Sequence, residues 1–228
     1  MGGKFEIGRI RGLPVFIDAS FILLIVLWGQ NYFIGGNTTR MSIGFLLIVG
    51  LSLSILIHEL AHAITGYRLG VAPSHIELNG LGGLCYWAQP MRPEAWRRIL
   101  ISLVGPFSNL VLYFLFEMLS GLVDSRTQRS VYQVTSTLAW ANWWMFVFNM
   151  MPAFPLDGGK ALEALLSKFL TFGMARIVVG VLGLCLAAYC AYLGIQGSVW
   201  MLVLAFMLAL ENYMAIQGAS SPPWQRRN

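Results

Sequence analysis

Ser42 to Tyr67 reads SIGFLLIVGLSLSILIHELAHAITGY, an unbroken apolar run with two histidines and a glutamate set into its second half. A spanning helix needs about 20 mostly apolar residues, and this stretch is long enough, with no charged side chain before Glu59. Four residues turn a helix by about 400° and climb about 6 Å, so His58 and His62 lie about 40° apart on one face. Two imidazoles so placed can reach one tetrahedral ion, and the adjacent Glu59 can act as general base toward a water that the ion activates. The motif His58-Glu59-Leu60-Ala61-His62 occurs by chance in many proteins, but its setting here is unusual. An ionisable group at bilayer depth costs roughly 2.5 to 3.5 kcal/mol, and three such groups fall between His58 and His62. A bound metal offsets that cost. The plainer alternative is a polar pair packed between helices, or a helix end lying in water.

The rest of the chain supports a membrane setting. Of 228 residues, 57% are hydrophobic and 11% charged, against roughly 25% charged in an ordinary soluble domain. Six apolar runs are long enough to span: about 15–34, 42–67, 99–123, 131–151, 172–195 and 199–217. With six spans, twelve of the fifteen Lys and Arg fall on the side that holds both termini, and only Arg40, Arg126 and Arg129 on the other. Positive charge collects on the cytoplasmic side, which predicts cytoplasmic termini in a multi-pass protein of the cell (inner) membrane. The net charge of +5 comes from these short loops, so no nucleic-acid partner is expected. The odd count of three cysteines, without C-x-x-C spacing, gives neither a disulfide framework nor a thiolate metal site.

Two loops break the apolar pattern. Ser74 to Tyr86 (SHIELNGLGGLCY) reads as two short strands about a glycine turn, too apolar for a solvated linker and expected to dip into the membrane surface. Asn149 to Gly159 (NMMPAFPLDGG) ends the fourth run with two prolines and two glycines. After it, Lys160 to Leu170 reads as a short amphipathic helix at the interface. Asp18 and Ser20 are placed to cap the first helix. Ser220 to Asn228 reads as a mobile polar tail. The expected fold is therefore an all-α polytopic membrane protein, a single domain over 1–228, with about six transmembrane helices and a short membrane-associated β-hairpin between helices 2 and 3.

A catalytic zinc takes three protein ligands, so a third is needed. His75 lies in the hairpin loop and also reads as a surface residue. Asp157 is better placed, at the end of the fourth run, since His58 lies only about 15 Å along its helix from Arg68 at the same membrane side. A helix N-cap is the alternative role for Asp157.

The ordered set of three motifs resembles the site-2 proteases, which are intramembrane zinc metalloproteases. The motifs are His58-Glu59-Leu60-Ala61-His62, then Gly105-Pro106-Phe107-Ser108-Asn109, then Asn149 to Gly159, and the resemblance covers nearly the whole chain. Alanine at 61 stands where glycine is a common family variant. The chain looks like a minimal form, without a PDZ or a nucleotide-sensing domain. The resemblance implies that His58, His62 and Asp157 hold one zinc ion and that Glu59 is the catalytic base. It implies that Asn149 holds the substrate backbone or developing oxyanion, and that Gly105, Pro106 and Asn109 shape packing near the site. It also implies that the hairpin, at Gly82 and Gly83, offers an edge to an unwound substrate. The implied substrate is a single-span membrane protein cut near the cytoplasmic side, with regulatory membrane proteins as further partners beside the lipid bilayer. Two other functions fit parts of the pattern: a transporter or channel with a buried ion site, and a non-catalytic binder on the same fold. Absent inverted repeats count against the first, and the complete set of motif residues against the second. Glu211 and Asn212, late in the sixth run, read as interhelical hydrogen-bonding residues or as the lining of a lateral gate.

Overall fold

Arg11 and Gly12 both take positive φ, 52° and 87°, the two-residue turn that matches the twist of a hairpin. They fold Lys4–Ile10 (β1) back onto Leu13–Asp18 (β2). Asp18 then accepts a hydrogen bond from the Ser20 N–H at 2.8 Å and caps α1, Ala19–Phe33. Helix α2, Thr38–Arg68, is capped in the same way by Asn37. The chain returns as Pro73–Asn79 (β3), parallel to β2, and turns into Gly82–Trp87 (β4), antiparallel to β3. The sheet order is β1-β2-β3-β4. One sheet face carries Val15, Ile76, Leu78 and Cys85 into a buried cluster with Phe21 of α1 and Ala63 of α2. At Gly66 of α2 a Cβ would fall 2.2 Å from the Trp87 ring, so the missing side chain lets β4 lie against the helix.

Helices α3 (Ala95–Leu122), α4 (Arg129–Asn149), α5 (Asp157–Leu166), α6 (Phe172–Ile195) and α7 (Val199–Ile216) follow among the described residues. α3 packs on α2 and α4, α6 pairs with α7, and the short α5 wedges between α3 and α6. Large apolar side chains such as Phe45, Val111, Phe114 and Phe206 remain exposed on the outer helix faces. That much contiguous apolar surface suits lipid, not water. The computed structural model describes residues 3–34, 37–80, 82–88 and 94–218; the expected tail, 220–228, lies outside them.

The structure differs from three expectations. The fold is not all-α plus one hairpin: the N-terminal segment adds β1 and β2, giving a four-stranded sheet. Among the described residues four helices, α2, α3, α6 and α7, are long and apolar enough to cross a membrane. The first apolar run is divided between β2 and a 15-residue α1, about 22 Å long against a hydrocarbon core of about 30 Å. In the 131–151 run, Gln133, Thr135, Ser136, Thr137 and Asn142 make α4 more polar. Finally, the helix expected at the interface over 160–170 begins at Asp157 and buries Ala161, Glu163 and Ala164 inside the bundle.

An ion pair holds α5 there. Arg98 of α3 donates to Glu163 at 2.5 Å, and Arg176 of α6 lies 3.8 Å from the other carboxylate oxygen. The Glu163 side chain is 1% exposed. Removing one member of such a buried pair strands its partners' charge and costs about 3–5 kcal/mol. Glu163→Ala is therefore expected to lower stability by about that amount in chemical denaturation of the detergent-solubilised chain. A change within experimental error would show that this pair does not hold α5.

Candidate metal centre

The geometry of the site follows from which ring nitrogen of each histidine is already in use. His62 Nδ1 lies 2.5 Å from the Ile101 carbonyl. A carbonyl only accepts, so this nitrogen carries the proton. For His58 the same conclusion comes through a chain of amides. Asn142 donates its Nδ2 to the Leu138 carbonyl at 2.9 Å and to Ser54 Oγ at 3.0 Å, which leaves its Oδ1 to accept from Asn109 Nδ2 at 2.9 Å. Asn109 Oδ1 must then accept from His58 Nδ1, at 2.6 Å. Asn109 and Asn142 are 0% exposed and Ser54 1%, so little competes with this order.

With both imidazoles neutral, the two Nε2 atoms present lone pairs, and they face each other at 3.1 Å. Asp157 Oδ2 completes the triangle, 3.0 Å from His58 Nε2 and 3.1 Å from His62 Nε2. In that state three electron-rich atoms converge. A divalent cation resolves this: ligands about 2.0–2.1 Å from a tetrahedral zinc lie about 3.3 Å from one another. The side chains of His58, His62 and Asp157 can hold a metal ion and are all buried.

Each motif has a steric or electrostatic task in this arrangement. A Cβ at Gly105 would lie 2.2 Å from His62 Nε2 and 2.8 Å from His58 Nε2; glycine lets α3 pass close against the metal-facing nitrogens of both rings. Asn109 follows one turn later on the same face of α3 and reaches His58. Cβ atoms at Gly158 and Gly159 would each fall 2.4 Å from a loop carbonyl, those of Met150 and Ala153, so the glycines let the 150–156 loop close on the start of α5. Asp157 is the first residue of that helix and Leu156 its N-cap, which rules out the capping role. Lys160, one turn on, donates to Asp157 Oδ1 at 2.8 Å and leaves Oδ2 for the histidines. Burial works against the Asp157 charge, and the Lys160 ammonium beside it is the largest influence in its favour.

Glu59 is 5% exposed, and β4 crosses over it: a Cβ at Gly83 would lie 2.5 Å from Glu59 Cγ and 2.7 Å from Oε1. Gly82 takes φ +120° with open space around it. Asn149 sits at the end of α4 and donates to the Met145 carbonyl at 3.0 Å, a helix-end bond within its own helix. His75 is not part of the cluster. Its ring stacks on Tyr86 at 4.4 Å and its Nδ1 meets Ser74 Oγ. Sequence reasoning gave Asn109 only a packing role and passed over Asn142, Ser54 and Lys160. The available signal was the cost of an amide inside an apolar helix, which marks both asparagines.

Several known proteins are similar to this chain. Residues 46–125 match the family model described as Peptidase family M50. A zinc metalloprotease of Methanocaldococcus jannaschii is 29% identical over 74% of this chain and 47% of its own length. Rip3 of Mycobacterium tuberculosis is 29% identical over 91% of this chain and 57% of its own. Stage IV sporulation protein FB of Bacillus subtilis is 29% identical over 72% and 57%. The chain spans about half the length of these curated relatives. The solved structure of the site-2 protease from Methanocaldococcus jannaschii superposes with a TM-score of 0.70 at 22% identity, over 94% of this chain and 95% of that one, which shows a shared fold. Motif order, apolar helices and metal-competent geometry converge with these likenesses: the chain is similar to the membrane zinc metalloproteases of peptidase family M50 and shares the fold of a site-2 protease.

Proposed function

We propose that this protein hydrolyses peptide bonds of single-span membrane proteins near the cytoplasmic side of the bilayer, using one zinc ion held by His58, His62 and Asp157. One observation carries the reading: two imidazole lone pairs and a carboxylate oxygen within 3.1 Å of one another, with Glu59 beside them on the same helix. Two nitrogens and one oxygen suit zinc among the common divalent ions. When bound, zinc supplies Lewis acidity, which polarises a carbonyl and makes water acidic near neutral pH.

The remaining work belongs to the chain. Glu59 takes a proton from the attacking water and passes it to the leaving amine. A helical peptide bond is shielded by its own hydrogen bonds, so substrate must unwind before attack. β4, at the edge of the sheet, offers main-chain groups to an extended segment by strand addition. The absent side chain at Gly83 places that strand against Glu59, and the open space at Gly82 leaves the approach clear. Asn149 would exchange its bond to Met145 for one to the substrate backbone or oxyanion. A wider set of spans that includes α1 and α4, with both termini cytoplasmic, would put the centre nearer the cytoplasmic face and release a cytoplasmic fragment, with regulatory membrane proteins controlling access.

The direct test is reconstitution into lipid vesicles with candidate single-span substrates. Glu59→Gln is expected to keep its zinc and lose cleavage by about 100- to 10,000-fold, the usual contribution of a general base; full activity in that variant excludes Glu59 as the base. Gly105→Ala is expected to abolish stoichiometric zinc, measured by elemental analysis of the purified chain, because its Cβ occupies the space of both Nε2 atoms. Zinc retained at one per chain contradicts the ligand assignment. Mass spectrometry of the products is expected to place the cut toward the cytoplasmic end of the substrate span. Cuts at the opposite end contradict the orientation.

A further inference from the structure

The ligand triangle depends on Asp157, and Asp157 hangs on the 150–156 loop, which is neither helix nor strand. A side chain from the last helix holds that loop. Asn212 of α7 is 0% exposed. Its Oδ1 accepts from the Phe154 N–H at 3.0 Å, and its Nδ2 donates to the Phe154 carbonyl at 2.8 Å and the Leu208 carbonyl at 2.7 Å. One amide thus takes both main-chain groups of a single residue, as a neighbouring strand would, three positions before Asp157. The donor and acceptor ends are fixed, because the nitrogen faces two carbonyls and the oxygen an N–H. Helix α6 backs the contact: a Cβ at Gly183 would fall 2.0 Å from Asn212 Oδ1, leaving the amide no room to swing away.

We infer that Asn212, braced by Gly183, is a positioning residue that sets metal affinity by fixing Phe154 and thereby the carboxylate of Asp157. It touches neither metal nor substrate. The amide is an expensive group to place in an apolar helix, and its full set of bonds goes to the loop and to its own helix. The inference rests on the metal-site reading above. It adds that the α6–α7 pair and the metal centre are coupled, so that separating α7 from the loop loosens the third ligand.

The test uses the full chain in detergent micelles. It measures zinc affinity by competition with a chromophoric chelator and records the visible spectrum of the cobalt-substituted protein. Asn212→Ala is expected to weaken zinc binding by roughly 10- to 100-fold, as loss of outer-shell support does, and to alter the cobalt bands. Gly183→Ala is expected to do the same by displacing the amide, and the double variant to be no worse than either single one. Gly180→Ala is the packing control. It crowds Ile216 at 2.6 Å and comes 3.2 Å from the Asn212 main-chain carbonyl on the same helix seam without meeting the Asn212 side-chain amide, and is expected to keep wild-type affinity. If Asn212→Ala fails to fold, the contrast between Gly183→Ala and Gly180→Ala decides. Unchanged affinity in Asn212→Ala or Gly183→Ala overturns the inference, and so does an equal loss in Gly180→Ala. A wild-type chain that binds no zinc removes the metal-site reading itself, and this inference with it.

Discussion

Two imidazole nitrogens and one carboxylate oxygen, each carrying a lone pair and held about 3 Å apart inside an apolar bundle, repel one another unless a cation sits between them. The surrounding structure is organised to hold that otherwise unfavourable triangle. The protons are kept away from it by acceptors behind each ring, the Ile101 carbonyl for His62 and the Ser54–Asn142–Asn109 chain for His58. Outer partners of this kind fix the tautomer and orient the ring, and they raise its basicity as a ligand.

The helices and the sheet supply the three sides of the site. α2 contributes both histidines and Glu59 on one stretch. α3 comes close enough to support them only because Gly105 has no side chain. α5 carries Asp157, held through the Arg98–Glu163 pair on one flank and through the 150–156 loop on the other. β4 lies over Glu59 where Gly83 allows it. Small residues at close contacts are the usual means of packing helices in lipid, where burial of apolar surface gives no gain. Here one of the closest of those contacts, at Gly105, is at the metal centre itself.

Much of this was legible in the sequence. The spacing of His58 and His62 set a shared helix face before any coordinates, and the glycines and prolines around Asp157 marked the loop that brings it in. The first apolar run was misjudged because hydropathy reports burial, not its cause. Val15 to Ile17 is apolar since it packs in a sheet, and the Arg11-Gly12 turn that reveals the hairpin depends on a positive φ at an arginine, which residue type does not announce. The helix after Asp157 was expected at a surface because its amphipathic pattern resembles an interfacial one, whereas its polar face is satisfied by Arg98 and Arg176 from α3 and α6. Long-range partners of that kind leave no local periodic trace. The same holds for Asn109, Asn142 and Asn212, which the sequence marks as costly without saying what they bind.

The central claim is the ligand set, and zinc K-edge X-ray absorption on the purified, zinc-loaded chain tests it most directly. The expected spectrum shows nitrogen and oxygen scatterers about 2.0–2.1 Å from the metal with outer-shell scattering from two imidazoles. A sulfur shell near about 2.3 Å, or a spectrum without imidazole scattering, would contradict the account.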